Sequence, residues 1–308
     1  MEHAGSVQVT ILINNYNYGR FLPAAIDSAL SQTYHPLEVV VVDDGSTDES
    51  PDIIRGYGDR IRSVFKPNGG QASAFNAGFA ASSGEVICLL DADDFFVPEK
   101  AERAVSALLA HPEVGWVFHP VHRKSEDGRG ERVPPLPKPL FIDIRDLALR
   151  GKLPGPPGPV TSGIIMSRDL MARIFPLDEA IRITADNYLI FLAAALSPGI
   201  YLEEALAVQR IHGNNLYTLR PDRLLTEARI HLLIAAEMRR RHPELRRLSN
   251  HIFSKALAHY HEAAAADDTC RSTARRYVLD ANPMEWPDLF LRAAYHRIGR
   301  CLHPRTAG

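Results

Sequence analysis

Cysteine is scarce in this chain: Cys88, Cys270 and Cys301 are its whole complement in 308 residues. They are widely spaced, with no paired metal-ligand spacing, so a disulfide framework is excluded and a reducing compartment is expected. Long apolar runs are absent too. None approaches the length needed to span a bilayer, and the opening Met1-Glu2-His3-Ala4-Gly5-Ser6 lacks the basic-then-apolar pattern of an export signal, so a cytoplasmic protein is expected. Charge of one sign is not in excess. A formal net charge of −2 excludes a nucleic-acid binder that works through bulk positive charge. There is no Gly-x-Gly-x-x-Gly after a strand and no phosphate-loop Gly-Lys-Ser/Thr, which removes the support for a dehydrogenase or a P-loop enzyme.

What is present is an ordinary globular composition, 45% apolar and 23% charged, in a chain long enough for one large core or two moderate ones. From Val7 onward, β-rich runs alternate with helical periodicities, the pattern of βαβ units around a parallel sheet. Strands are expected at Val7 to Ile13, Leu37 to Val42, Ile61 to Phe65, Glu85 to Leu90, Val114 to Phe118 and Val160 to Met166, with an extended stretch from Ile200 to Ile211. Helices are expected after Phe21, over Gln71 to Ala81, beyond Pro98 and over Ala185 to Leu196. His122 to Pro139 is polar and then proline-rich, as in a long loop or lid, and the Pro/Gly run from Pro154 to Pro159 precludes regular structure. From Pro221 the pattern is helical almost throughout, with Leu224, Leu225, Ala228, Leu232 and Ala235 in one stripe.

Chemistry gathers where the early strands end. Val86 to Leu90 runs into Asp91-Ala92-Asp93-Asp94, and the second strand ends in Asp43-Asp44. Ligands of open α/β folds bind at such carboxyl ends. Three adjacent carboxylates repel one another unless a divalent cation or a hydrogen-bonding ligand keeps them ionised, and an all-oxygen set suits Mg²⁺ or Mn²⁺ better than zinc. A solvated turn capping the next helix is the plainer alternative. The first strand ends in Asn14-Asn15-Tyr16-Asn17-Tyr18. There Tyr16 can stack on a nucleobase while Asn14 and Asp44 bond its edge, the alternative being a capped turn.

Taken together, Ile11 to Asn17, Ser31-Gln32-Thr33-Tyr34, Val42 to Asp48, Asn76-Ala77-Gly78 and Leu90 to Asp94 resemble, in order and spacing, the family-two glycosyltransferases of GT-A fold. The resemblance is close over the first hundred residues, looser to about His212, and fades in the helical tail. It implies an α/β protein with a GT-A type, Rossmann-like, mostly parallel sheet flanked by helices, followed by a helical C-terminal extension. It divides the chain into a nucleotide-sugar-binding half at 1–97, an acceptor-binding half at 98–216 and the extension at 217–308.

The activity implied is transfer of a sugar, with inversion, from a nucleoside diphosphate donor to an acceptor hydroxyl. A UDP-sugar is the expected donor, Mn²⁺ or Mg²⁺ the cofactor, and polysaccharide or glycoconjugate synthesis the setting. Carried over residue by residue, Asn14, Tyr16, Asp44, Asp91 and Arg210 contact the nucleotide, and Asp91, Asp93 and His212 hold the metal. The doubled aspartate leaves Asp93 and Asp94 interchangeable by one position. Asp186 falls where the family has its base, although Ala185 replaces the first acid of the usual pair, and a helix-start aspartate is the alternative. Phe75 stands where an arginine is frequent. Lys66 or Arg210 can supply that charge, or the donor pocket is more apolar than usual.

Thr161-Ser162-Gly163 is expected to line an acceptor pocket for a glycan, a lipid-linked glycan or a small molecule. The basic runs Arg239-Arg240-Arg241-His242 and Arg246-Arg247, and a last helix pairing Leu289, Phe290, Ala293 and Ile298 with Arg292, Arg297 and Arg300, suit peripheral contact with anionic lipid, or are solvated faces. The apolar stripe of the tail can pack on its own chain or on a second copy. Two other functions compete: a non-catalytic glycan-binding or assembly subunit, kept alive by Ala185 and Phe75, and a sugar nucleotidyltransferase, against which the Asn14 to Gly19 loop argues because it lacks glycine-rich, basic character.

Overall fold

Two kinds of packing divide the chain, and the first is built on a sheet. The computed structural model describes residues 6–125, 127, 129–152, 159–213, 215, 222–264, 266–287 and 289–294. The elements in chain order are β1 (Val9–Asn15), α1 (Leu22–Leu30), β2 (Leu37–Asp43), α2 (Ser50–Gly56), β3 (Arg62–Phe65), α3 (Gln71–Ala81), β4 (Val86–Asp91), β5 (Phe95–Phe96), α4 (Lys100–Ala110), β6 (Trp116–Phe118), β7 (His122–Ser125), β8 (Gly130–Glu131), β9 (Leu140–Ile142), α5 (Arg145–Leu149), β10 (Ile164–Ser167), α6 (Arg168–Ile174), α7 (Ala185–Leu196), β11 (Gly199–Tyr201), β12 (Ala207–Ile211), α8 (Arg223–Arg241), α9 (Arg246–Ala263) and α10 (Asp268–Asp280). Residues 1–143 and 155–215 form one unit, and 144–154 with 216–308 form the other.

In the first unit an eight-stranded sheet has the order β3-β2-β1-β4-β10-β6-β11-β9. Strands β3, β2, β1 and β4 are parallel, with Asn14 opposite Asp91 and Asn15 opposite Asp43, so the polar ends of three strands share one edge. Strands β2, β1 and β4 are continuous apolar runs because both of their faces are covered, whereas the edge strand β3 is largely exposed. Val9, Ile11 and Ile13 join Val39, Val41, Cys88 and Leu90 in a core with Leu22 and Ile26 of α1 and Ala104 of α4. Val40 and Val42 point the other way, against Ala74 of α3. The later strands are antiparallel where β10 meets β4 and β6. At Gly199 a Cβ would lie 2.0 Å from the Trp116 ring, so only glycine lets β11 pair with β6 at this point.

Three expectations need correction. His122 to Pro139 is not a bare loop: it contributes β7 and β8 to a second sheet, β5-β12-β7-β8. The stretch Ile200 to Ile211 is not one extended piece, since β11 lies in the large sheet and β12 in the small one. Thr161 to Gly163 forms a 3₁₀ turn before β10 rather than the start of the strand. The Pro154 to Gly158 part of the expected acceptor rim lies outside the described residues.

The second unit is helical. Helices α8 and α9 run antiparallel, with Ser249 Oγ donating to Ala235 O at 2.6 Å and Glu227 facing His259 at 3.7 Å. Ala228, Leu232 and Ala235 of the expected stripe are buried, as are Leu248, Ile252 and Phe253 opposite. The Tyr277 ring of α10 stacks on Phe253 at 4.0 Å. Much of the first basic run is engaged: Arg239 reaches Glu285 at 2.6 Å and Asn250 at 2.9 Å, and Arg240 reaches Glu237. Among the described residues of the last helix Leu289 and Ala293 are buried and Phe290 is exposed, while Arg297, Ile298, Arg300 and Cys301 lie outside the described residues. Cys88 and Cys270 are free thiols, and no described helix is long and apolar enough to cross a membrane.

Candidate functional site

The shared edge of β1, β2 and β4 concentrates polar side chains. Asn15 Nδ2 donates to Asp43 Oδ1 at 2.9 Å and to Ser46 Oγ at 3.1 Å, which ties the two loops together. Asp44 is buried and heavily committed: it accepts Lys66 Nζ at 2.7 Å, Gly69 N at 2.9 Å and Gly70 N at 2.7 Å. A carboxylate has about four acceptor positions, and three of those of Asp44 are used in these bonds. Gly70, with φ of 87°, is required here, because a Cβ would meet the Arg182 backbone at 2.7 Å. Tyr16 is 37% exposed and offers its ring at this edge.

Asp91, Asp93 and Asp94 place one carboxylate oxygen each within 4.8 Å of one another. Asn14 Nδ2 donates to Asp91 Oδ1 at 3.0 Å. Asp93 Oδ2 lies 3.1 Å from His212 Nε2 and accepts Asn215 Nδ2 at 3.0 Å. Asp94 is pinned on both oxygens, by Ser162 Oγ at 2.6 Å and by the Arg210 backbone N–H at 3.0 Å. Burial, then repulsion from Asp93 and Asp186, pushes Asp91 up to about 7. Burial and the charges of Asp93 and Asp91 also raise Asp94 well above the carboxylate range. Crowding of this kind is relieved by a cation. Asn14 Oδ1, buried with no hydrogen-bond partner among the described residues, is a further acceptor with nothing to accept. The donor set therefore fits a hard divalent metal.

Arg210 acts as a strut. Its Nε donates to Asp93 O at 2.5 Å, and its Nη2 to Phe21 O and Asp94 O at 3.1 and 3.3 Å, so the guanidinium shapes the Asp93-Asp94 turn. The His212 ring stacks on Phe21 at 4.3 Å and meets Tyr18 edge-on at 5.6 Å, which fixes the direction of Nε2. Beside it opens a cavity of about 270 Å³ lined by Tyr18, Arg20, Phe21, Asp48 and Glu49.

Asp186, at the start of α7, belongs to the same constellation. Its Oδ2 accepts Thr161 Oγ1 at 3.3 Å and its Oδ1 accepts the Asn187 N–H at 2.9 Å, and burial raises its proton affinity. Gln71 joins the two groups of acids: Nε2 reaches Asp91 Oδ1 at 3.5 Å and Thr161 Oγ1 at 3.3 Å, while Oε1 accepts the Ala185 N–H at 2.8 Å. Thr161 and Ser162, expected to line an acceptor pocket, are buried and hold carboxylates. Phe75 is fully buried, so it neither offers a charge nor makes a pocket apolar, and both replacement cations, Lys66 and Arg210, are engaged as described.

Sequence reasoning missed Gln71, Asn215 and Lys100. Gln71 had a usable signal, standing directly after Gly69-Gly70 at a helix start that faces the acidic edge. Lys100 is fully buried, its Nζ donating to Ser162 O at 2.6 Å and lying 3.6 Å from the centre of the Phe96 ring. Burial pulls its ammonium down to about 7, against the opposing effects of Cys88 and Asp94.

The Glycosyl transferase family 2 model matches residues 10–175. An uncharacterized glycosyltransferase of Nostoc is 39% identical over 218 residues, covering 68% of this chain and 66% of that protein. One of Rickettsia prowazekii is 43% identical over 100 residues, covering 32% and 31%. The chain thus spans between about a third and two thirds of the length of these curated relatives. Among solved structures, S. aureus TarS 1–349 in complex with UDP superposes with a TM-score of 0.57 at 18% identity, over 91% of this chain and 77% of that one. A Pyrobaculum calidifontis mannosyltransferase in complex with GDP-Man and Mn²⁺ gives 0.53 at 18%, over 98% and 89%. These similarities establish the GT-A fold.

Proposed function

Because the chain belongs to glycosyl transferase family 2, we propose that it moves a sugar, with inversion, from a UDP-sugar to an acceptor hydroxyl in polysaccharide or glycoconjugate synthesis, and that it uses Mn²⁺ or Mg²⁺. The observation that carries the reading is the joining, through Gln71 and Thr161, of an acidic cluster at the sheet edge to a separate aspartate, Asp186.

In this reading Asn14, Tyr16, Asp44 and Arg210 receive the nucleotide, Arg210 by holding the Asp93-Asp94 turn. Asp91, Asp93 and His212 hold the metal. Asp93 is the better ligand of the doubled pair, because both oxygens of Asp94 already carry hydrogen bonds from Ser162 and Arg210. A divalent cation there offsets the negative charge that gathers on a departing diphosphate. Asp186 takes the proton from the acceptor hydroxyl as its oxygen attacks the anomeric carbon, and the nucleoside diphosphate leaves from the opposite face. Its raised proton affinity suits that task, since a base is most effective when its pKa approaches the working pH. The same property weighs against a non-catalytic relative despite Ala185, whose backbone is used by Gln71 and whose side chain is buried. Complexes of the structural neighbours with UDP and with GDP-Man support a nucleotide donor as the ligand class.

Calorimetric titration with UDP, GDP and CDP, each with and without Mn²⁺, is the test. Metal-dependent binding of UDP alone is the expected result. A preference for GDP would correct the donor, and no binding of any nucleotide would overturn the enzyme reading.

A further inference from the structure

Behind the acids lies a chain of contacts that ends in the buried Lys100. Its Nζ holds the carbonyl of Ser162, and no other described lysine is fully buried. Ser162 sits in the 3₁₀ turn Thr161–Gly163, and its hydroxyl donates to Asp94 Oδ2 at 2.6 Å while accepting the Asp91 backbone N–H at 3.3 Å. The preceding residue of the same turn, Thr161, donates to Asp186. One short turn thus touches both ends of the acidic cluster and the separate aspartate, and it is fastened from behind by one ammonium group. The Phe96 ring beneath Nζ favours a cation at this place.

We propose that Lys100 is a positioning residue for the acidic site: through the Ser162 carbonyl it fixes the 161–163 turn, and with it the register of Asp91 and Asp94 against Asp186. Burying an ammonium group is unfavourable for folding, but removing it leaves the buried Ser162 carbonyl without its donor, so the two effects on stability oppose one another. A lysine kept for the fold alone and one kept for the site therefore differ in what its loss does.

The inference rests on the glycosyltransferase reading for its functional arm and on geometry alone for its structural arm. Lys100→Met is expected to fold, with a thermal midpoint lowered by no more than the loss of one buried hydrogen bond. It is expected to speed hydrogen exchange of the 159–165 and 88–96 segments in the metal-free protein. It should also weaken Mn²⁺-dependent UDP binding about 10- to 100-fold, as loss of an outer support typically does. Ser162→Ala, which leaves Lys100 and its carbonyl contact in place, should also weaken binding, and the double variant should lose less than the sum of the two, because both changes act through one turn. Unchanged exchange in Lys100→Met, additive losses in the double variant, or a variant that fails to fold would each overturn the proposal, the last by assigning Lys100 to the fold. If the parent protein itself binds no nucleotide with metal, the glycosyltransferase reading falls, and the exchange measurement decides the positioning role by itself.

Discussion

The acidic edge of the sheet and the helical unit treat charge in opposite ways. In the helical unit each prominent partly buried charge has an opposite one: Arg239 meets Glu285, Arg229 meets Asp267, and Glu237 meets Arg240. At the sheet edge three carboxylates crowd together, their hydrogen bonds come largely from neutral groups, and Asp91 and Asp94 are forced toward protonation. Folding alone does not favour such crowding, which marks the sheet edge beside Asp186 as the candidate site.

The sharpest way to break this contrast is Asp93→Ala, which removes a carboxylate from the crowded side. Metal-dependent UDP binding should fall at least about 100-fold and turnover should vanish, as read by calorimetry and by release of UDP from the donor. Asp186→Ala separates the proton-taking step from binding: kcat should drop by roughly 10² to 10⁴ while UDP affinity with Mn²⁺ stays at the parent value. On the paired side, Arg239→Ala removes the cation facing Glu285, whose remaining partners are the Asn282 N–H and the Asn250 amide, and should lower stability in urea by about 1 kcal/mol, with turnover per folded molecule unchanged.

A further effect expected is one of pH. Folding raises Asp91 from 3.8 to about 7, so the folded protein holds a proton that the unfolded chain releases. The stability linked to that proton is present below the unfolded value and is lost as pH rises to about 7. Thermal midpoints of metal-free protein should accordingly decline over this window, less steeply in Asp91→Asn, and Mn²⁺ should raise the midpoint more at pH 8 than at pH 5.

The two sides also differed in how far the sequence disclosed them. Helices α3 and α7 are legible to the residue, because each is a run of small and apolar residues bounded by glycine, serine, threonine or proline. The carboxyl ends of β1, β2 and β4 were legible because apolar runs stop abruptly in polar residues. The small sheet was hidden: β5 and β8 have two residues each, and β7, His122–Ser125, has no apolar alternation to betray it. Lys100 was hidden for another reason. A lysine at the head of a helix suggests solvent, and only the fold reveals that this one points inward at a carbonyl. That 144–154 joins residues 216–308 in one unit is a tertiary fact without a local signal.

The amide of Gln71 carries a last consequence. Because one side chain spans from Asp91 to the first turn of α7, Gln71 acts as a gauge of the offset between the two groups of acids, alongside the 161–163 turn. The surface segments around His122 to Pro139 are not part of that gauge. Under the proposed function, variation there is expected to change the acceptor admitted while the spacing of Asp91 and Asp186 is kept.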